Sequence, residues 1–235
     1  MNRILVDRKY KDDNVVTLNI MEDSSFLLSD NKINKYIFNV KNANVNILCN
    51  FKDIDNVSFE FNIDNACVNF NNLSYNCKDQ NIIANLNKSN SFINIYNSYV
   101  CKSKQNIDVR IIHNSSDTES KIFNNAVTCE NGSICFNNIT EVRNKMKDCK
   151  VVQDAKIIPL NDTNENMINP ILLIDEFEVD AKHAAFIGKF KEEQLFYLES
   201  RGLTKKEAIK LLLDGLLVGL MNISEEEKES LKQLI

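Results

Sequence analysis

The sequence predicts a mainly β chain with a small helical part at its C-terminus. Three observations predict it. Short stretches alternate apolar and polar residues with period two over most of the chain. Asparagine is heavily used: 36 in total, 31 of them within residues 1–150. After Lys189 the alternation gives way to helical spacing.

The alternation is clearest in Val57-Ser-Phe59-Glu-Phe61-Asn-Ile63 and in Ile107-Asp-Val109-Arg-Ile111-Ile-His113. It recurs in Val68/Phe70, Leu73/Tyr75/Cys77 and Phe92-Ile-Asn-Ile95. Period two means a strand with one buried face. The strands return about every 10–12 residues with polar corners between them, the spacing of a β-sandwich, a barrel or a β-solenoid. No strict repeat selects among the three, although inner ladders of Val, Ile, Phe and Cys suit stacked coils. The chain has five Gly and two Pro. Its corners therefore fall to Asn and Asp, which tolerate left-handed backbone and bond to their own main chain.

Residues 1–189 are expected to form the β domain and residues 190–235 a helical segment. Glu192, Glu193, Leu195, Phe196, Tyr197 and Leu198 predict a short helix stopped at Gly202. Thr204-Lys-Lys-Glu207 is a capping box opening a second helix. Its apolar stripe is Ala208, Ile209, Leu211, Leu212, Leu213, Leu216, Leu217 and Leu220, wider than a lone surface helix needs. Ser224-Glu-Glu-Glu227 is a second capping box, predicting a last helix through Ile235 whose acidic first turn suits the helix dipole.

Composition excludes several function classes. A net charge of −5 argues against a nucleic-acid binder. No apolar run approaches the roughly 20 residues needed to span a bilayer. The stretch MNRILVDRKYKDD lacks the apolar core of a signal peptide, so a cytoplasmic protein is expected. Cysteines stand at 49, 67, 77, 101, 129, 135 and 149, with no C-x-x-C pair. That argues against a zinc ribbon or a ferredoxin cluster and for buried free thiols. There is no G-x-S-x-G, no phosphate-binding Gly loop and no H-E-x-x-H.

A few residues stand out chemically. Cys129 and Cys135 flank the turn signal Asn131-Gly132, so their sulfurs would approach if the flanking strands stack; the alternative is two core thiols. Cys149 lies among Lys145, Lys147, Asp148 and Lys150, where nearby lysines would favour a reactive thiolate. His113, followed by Asn-Ser-Ser-Asp117-Thr118, organises a corner or ligates a metal.

The segment Glu193-Gln-Leu-Phe-Tyr-Leu-Glu-Ser-Arg-Gly-Leu-Thr-Lys-Lys-Glu-Ala208 resembles the terminal signature of the SufB/SufD family of iron–sulfur cluster assembly scaffolds, LFYL-x-SRG-[LI]-x-x-x-E-A. Asp180-Ala-Lys-His183-Ala-Ala-Phe-Ile-Gly188 resembles the SufD-type stretch C-S-H-G-A-T-V-G. Asn169-Pro170-Ile-Leu-Leu-Ile174 resembles the family's Pro-x-Leu-x-Ile strand, and Phe136-Asn-Asn-Ile139 falls where members carry Phe/Tyr-x-Gly. The likeness covers residues 107–220 well and the N-terminal half in general character.

The resemblance implies a right-handed parallel β-helix with C-terminal helices. It implies pairing through the last β-helix strands, with itself or with a SufB-like subunit, which places Ile174, Val179 and His183 at a dimer interface. It implies docking of a SufC-like ABC ATPase on the C-terminal helices, which places Phe196, Tyr197, Leu198, Arg201, Leu212 and Leu216 at that contact. The same helices would cap the solenoid end. No ATP would bind this chain itself, and any cluster would be held transiently.

His183 matches the SufD-type histidine, with Ala181 and Ala184 in place of its neighbouring Cys and Gly. A neutral imidazole ligates iron well, and Glu178 or Asp180 would orient its other nitrogen. Cys149 is a second candidate ligand. Gln153 stands where SufB-type chains carry a cysteine. The sequence shows no counterpart of the large N-terminal helical region of long members. The expectation is therefore a SufD-like or minimal non-catalytic scaffold subunit. The alternatives are a β-helix polysaccharide lyase or hydrolase, which needs paired carboxylates in a groove, or a purely structural solenoid.

Overall fold

The computed structural model describes residues 4–5, 14–29, 32–161 and 165–232. The strands are β1 (Ile4–Leu5), β2 (Val15–Ile20), β3 (Ser24–Leu28), β4 (Lys35–Lys41), β5 (Asn44–Lys52), β6 (Asn56–Asp64), β7 (Cys67–Tyr75) and β8 (Asp79–Leu86). They continue as β9 (Phe92–Cys101), β10 (Lys104–His113), β11 (Glu119–Thr128), β12 (Ser133–Val142), β13 (Cys149–Pro159), β14 (Met167–Ile174) and β15 (Val179–Ile187). Odd strands form one eight-stranded sheet and even strands a seven-stranded sheet, each in chain order. Every pairing is parallel between strand n and strand n+2. That is a parallel β-solenoid of about six turns, two strands to the turn.

The corners behave as the asparagine count predicts. Asn42, Asn65, Asn90, Asp117 and Asp148 hold one corner in successive coils, with φ between 49° and 57°. That left-handed backbone is costly for most side chains and tolerated by Asn and Asp. Each corner amide bonds to the coil above: Asn90 N donates to Asp117 O at 2.9 Å and Asp148 N to Glu178 O at 2.8 Å. At the other corner Asp53, Asn76 and Glu130 are likewise left-handed, and Asp53 N donates to Tyr75 O and Asn76 N to Val100 O, each at 2.9 Å.

Asparagine has a second use that the sequence reading missed. Outward-facing Asn side chains stack along the solenoid. Asn39 donates to Asn19 at 2.8 Å, Asn62 to Asn39 at 3.0 Å and Asn85 to Asn62 at 3.0 Å. A second ladder joins Asn94, Asn69 and Asn46. An amide carries both donor and acceptor, so identical residues on successive rungs satisfy one another.

The core changes along the axis. In the early coils it is aromatic: Tyr36 stacks on Phe59 at 5.4 Å and Phe38 on Phe61 at 5.2 Å. The spacing between stacked residues grows from 20 at Asn39/Asn19 to 32 at Asn169/Asn137. The wider coils are filled partly by amides. Asn97 donates to Asn124 at 2.8 Å, and Asn124 reaches Asn138 on the opposite sheet at 2.7 Å.

Three helices follow: α1 (Glu192–Ser200), α2 (Lys205–Val218) and α3 (Glu225–Lys232). Both capping boxes form, with Thr204 N on Glu207 at 2.8 Å and Ser224 N on Glu227 at 3.0 Å. The last helix was expected through Ile235; residues 233–235 lie outside the described residues. The expected cap over the solenoid end is not what these helices form. Leu217, Val218, Met221 and Leu231 pack on the outer face of the eight-stranded sheet, against Leu48, Leu73, Val100, Val127 and Ile158. The outward positions of that sheet are apolar in this one strip, so burial draws the helices there. Polar sheet residues receive the end of α2. Asn125 Nδ2 donates to Leu216 O at 2.9 Å, Ser98 donates to Leu217 O, and Asn71 accepts from Asn222 N at 2.7 Å.

Candidate functional site

The last coil leaves the solenoid open. Strands β14 and β15 end their sheets, so each has one paired and one unpaired edge among the described residues. In β13 the inward row is Cys149, Val151, Gln153, Ala155 and Ile157, all buried. Their partners on β15 are Val179, Ala181, His183, Ala185 and Ile187. His183 thus occupies an inward position, yet it is exposed because no coil covers it. Ile174 and Val179 are half-buried against Val142, Cys149 and Val151, so they fill the end of the core as well as line its opening. Around them Met167, Ile171, Leu173, Phe186 and Ile187 are exposed, and Phe177 at the β14–β15 turn is fully so. Phe177 escaped the sequence reading because a lone Phe in an acidic turn fits no periodic pattern.

The carboxylates expected to orient His183 do not. Asp180 is three positions away on a strand and faces outward, 3.8 Å from Lys182. Glu178 stands at the corner and pairs with Lys147 at 3.0 Å. The residue on the rung beneath His183 is Gln153. Its Nε2 donates to Thr140 Oγ1 at 2.8 Å and to Ile171 O at 3.3 Å.

Cys149 corrects a second expectation. Its thiol is fully buried, away from the lysines that flank it in sequence. The sulfur lies 3.3 Å from Thr118 Oγ1, 3.4 Å from Met146 O and 3.5 Å from Ser115 O. The side chain packs with Val142 and Val151, so Cys149 is part of the core. His113 belongs to the same buried knot, with Nδ1 2.7 Å from Thr118 and Nε2 2.8 Å from Ser120. Burial pushes its pKa down to about 4, so the ring is neutral at neutral pH and organises the corner.

Cys129 and Cys135 are not brought together. The Asn131-Gly132 turn forms, but Cys129 rests 3.5 Å from Cys101 O while Cys135 faces out among Asn137 and Asn169. Burial raises both thiols above their usual range. No group of three or more His, Cys, Asp or Glu able to hold a metal ion occurs among the described residues.

The second region is the helical pair. Helix α1 has no buried residue; Phe196 and Tyr197 are exposed, Leu198 is half-buried, and the Arg201 guanidinium lies 5.2 Å from the Tyr197 ring centre. The broad leucine stripe of α2 divides. Leu213, Leu216 and Leu217 turn to the sheet, whereas Leu211 is exposed and Leu212 half-exposed. Leu216 is therefore intramolecular packing rather than a free docking residue.

Comparison with known proteins decides the family. The family described as "SUF system FeS cluster assembly, SufBD core domain" matches residues 53–216. The chain belongs to the SufBD family. The match takes in the solenoid from the third coil onward, its open end, and α2. An iron–sulfur cluster assembly protein SufD of Bacillus subtilis (strain 168) is 35% identical over 118 residues, covering 50% of this chain and 27% of that protein. An iron–sulfur cluster assembly SufBD family protein of Staphylococcus aureus (strain USA300) is 25% identical over 111 residues, covering 47% of this chain and 24% of its own length. The matched stretch thus spans about a quarter of these SufBD relatives. Among the described residues no helix is long and apolar enough to cross a membrane.

Proposed function

We propose that this SufBD protein is a non-catalytic, SufD-like scaffold subunit of a SUF-type iron–sulfur assembly complex, working in the cytoplasm. The observation that carries the reading is the open solenoid end. Two strand edges there expose unpaired backbone groups beside Ile171, Leu173, Phe186 and Ile187. An edge of that kind invites strand addition from another chain. A second copy, or a SufB-like subunit, would continue both sheets and bury His183 with Ile174 and Val179 at the seam.

The exposed face of Phe196, Tyr197, Arg201 and Leu211, edged by Leu198 and Leu212, is the surface offered to a SufC-like ABC ATPase, which would bring the nucleotide. A large apolar and aromatic patch with a stacked arginine is the usual composition of an interface centre. Iron and sulfide would be cargo, with His183 as an iron ligand supplied by this chain.

The test uses purified partner ATPase. Phe196→Ala combined with Leu211→Asp is expected to abolish co-purification with the circular dichroism of the solenoid unchanged; undiminished binding overturns the docking assignment. Anaerobic reconstitution with iron and sulfide is expected to yield a visible charge-transfer band that His183→Ala weakens. An identical spectrum from the variant removes His183 as ligand.

A further inference from the structure

We propose that Gln153 is a positioning residue for His183: its side-chain carbonyl accepts the imidazole N–H, fixing one tautomer and turning the other ring nitrogen toward the open end. The use of that nitrogen for iron rests on the proposed function; the hydrogen bond itself rests on the ladder alone.

The two residues are register partners on β13 and β15. Both hold inward positions, so their side chains lie on the same face of adjacent rungs, about 4.8 Å apart at the backbone. The orientation of the Gln153 amide is settled by its neighbours. Ile171 O is an acceptor only, and it lies 3.3 Å from the atom assigned as Nε2. The nitrogen therefore faces Ile171 and Thr140, and the oxygen is left over. That Oε1 is buried and has no hydrogen-bond partner among the described residues. A buried carbonyl without a donor is a standing cost, relieved by any N–H brought to it. The next side chain along the inward row is that of His183, which carries a ring N–H and makes no hydrogen bond among the described residues.

The chemistry fits the partner. An amide oxygen accepts and never donates, so it selects the ring nitrogen that carries hydrogen and leaves the lone pair on the other. A ligating histidine commonly has its second nitrogen held in this way, and the usual holder is a carboxylate or a carbonyl. Here the two candidate carboxylates are engaged by Lys147 and Lys182. A neutral holder also adds no charge to an opening that an approaching subunit must cover.

The test reads the tautomer directly, without metal, by nitrogen NMR of the His183 ring in mildly alkaline buffer. The unaltered protein is expected to show one tautomer predominating, and Gln153→Met the mixture of a free imidazole. The same ratio in both proteins overturns the proposal, as does an unbiased mixture in the unaltered protein, which needs no variant to fold. Cobalt(II), titrated alone as a spectroscopic probe, is expected to bind Gln153→Met about tenfold more weakly. A locked tautomer with no cobalt bound by either protein upholds the hydrogen bond and discards the iron reading. Equal cobalt affinity in both proteins overturns the positioning role.

Discussion

At the scale of single residues, the buried histidine at the corner has a measurable consequence. His113 is held between Thr118 and Ser120, with its pKa pushed down to about 4. The unfolded chain would titrate near 6.5. Because the folded value is the lower one, the unfolded state takes up the proton first. Stability is intact above about pH 6.5 and falls as the pH drops toward 4, by about 2 kcal/mol at pH 5. Urea midpoints between pH 7 and pH 5 are expected to fall in the unaltered protein and to stay flatter in His113→Gln. Equal slopes would show that another group dominates. A smaller effect is expected at Asn125, whose amide reaches Leu216 O. Asn125→Ala loses that bond and leaves a carbonyl unmet, costing about 1 kcal/mol by urea unfolding.

At the scale of elements, the helices and strands divide over what the sequence reveals. Period-two alternation located the strands, because each coil has a buried inside and a solvent-facing outside. The capping boxes at Thr204 and Ser224 located the starts of α2 and α3, since those bonds are local. What lay beyond reach was where α2 would settle. Leu48, Leu73, Val100, Val127 and Ile158 are scattered through the chain and become a strip only once the coils stack. For the same reason the asparagine ladders were hidden: Asn39 and Asn62 meet only through the register. The site was legible in part. His183 carried the family pattern, but the burial of Cys149 and the place of Gln153 beneath His183 are properties of the stack. The strip predicts that Leu217→Ala costs about 2–4 kcal/mol. Faster hydrogen exchange throughout α2 and α3, with β6 and β8 protected, would mark the helices as a separately opening unit. Uniform loss of protection would show instead that they melt with the solenoid.

For the whole molecule, the open end is where the proposed association can be tested. Ile171 and Leu173 are exposed on β14, one of the two strands with an unpaired edge among the described residues. Ile171→Lys places a charge beside that edge, a device that blocks strand addition. By sedimentation, the unaltered chain is expected to self-associate or to pair with a SufB-like subunit, and Ile171→Lys to remain monomeric at the same concentration. Undiminished association would move the interface elsewhere. Thermal unfolding of both proteins should coincide at high dilution, since the substitution lies outside the core.

The lengthening of the coil, from 20 residues at Asn39/Asn19 to 32 at Asn169/Asn137, makes late rungs longer than early ones. A stack of equal rungs can be threaded in several orders, any strand accepting almost any neighbour. A stack that widens narrows the choice. In the widening half a strand that skipped its neighbour would reach its corner out of step, with Asp117 or Asp148 off the turn. Unequal rungs thus favour pairing in chain order.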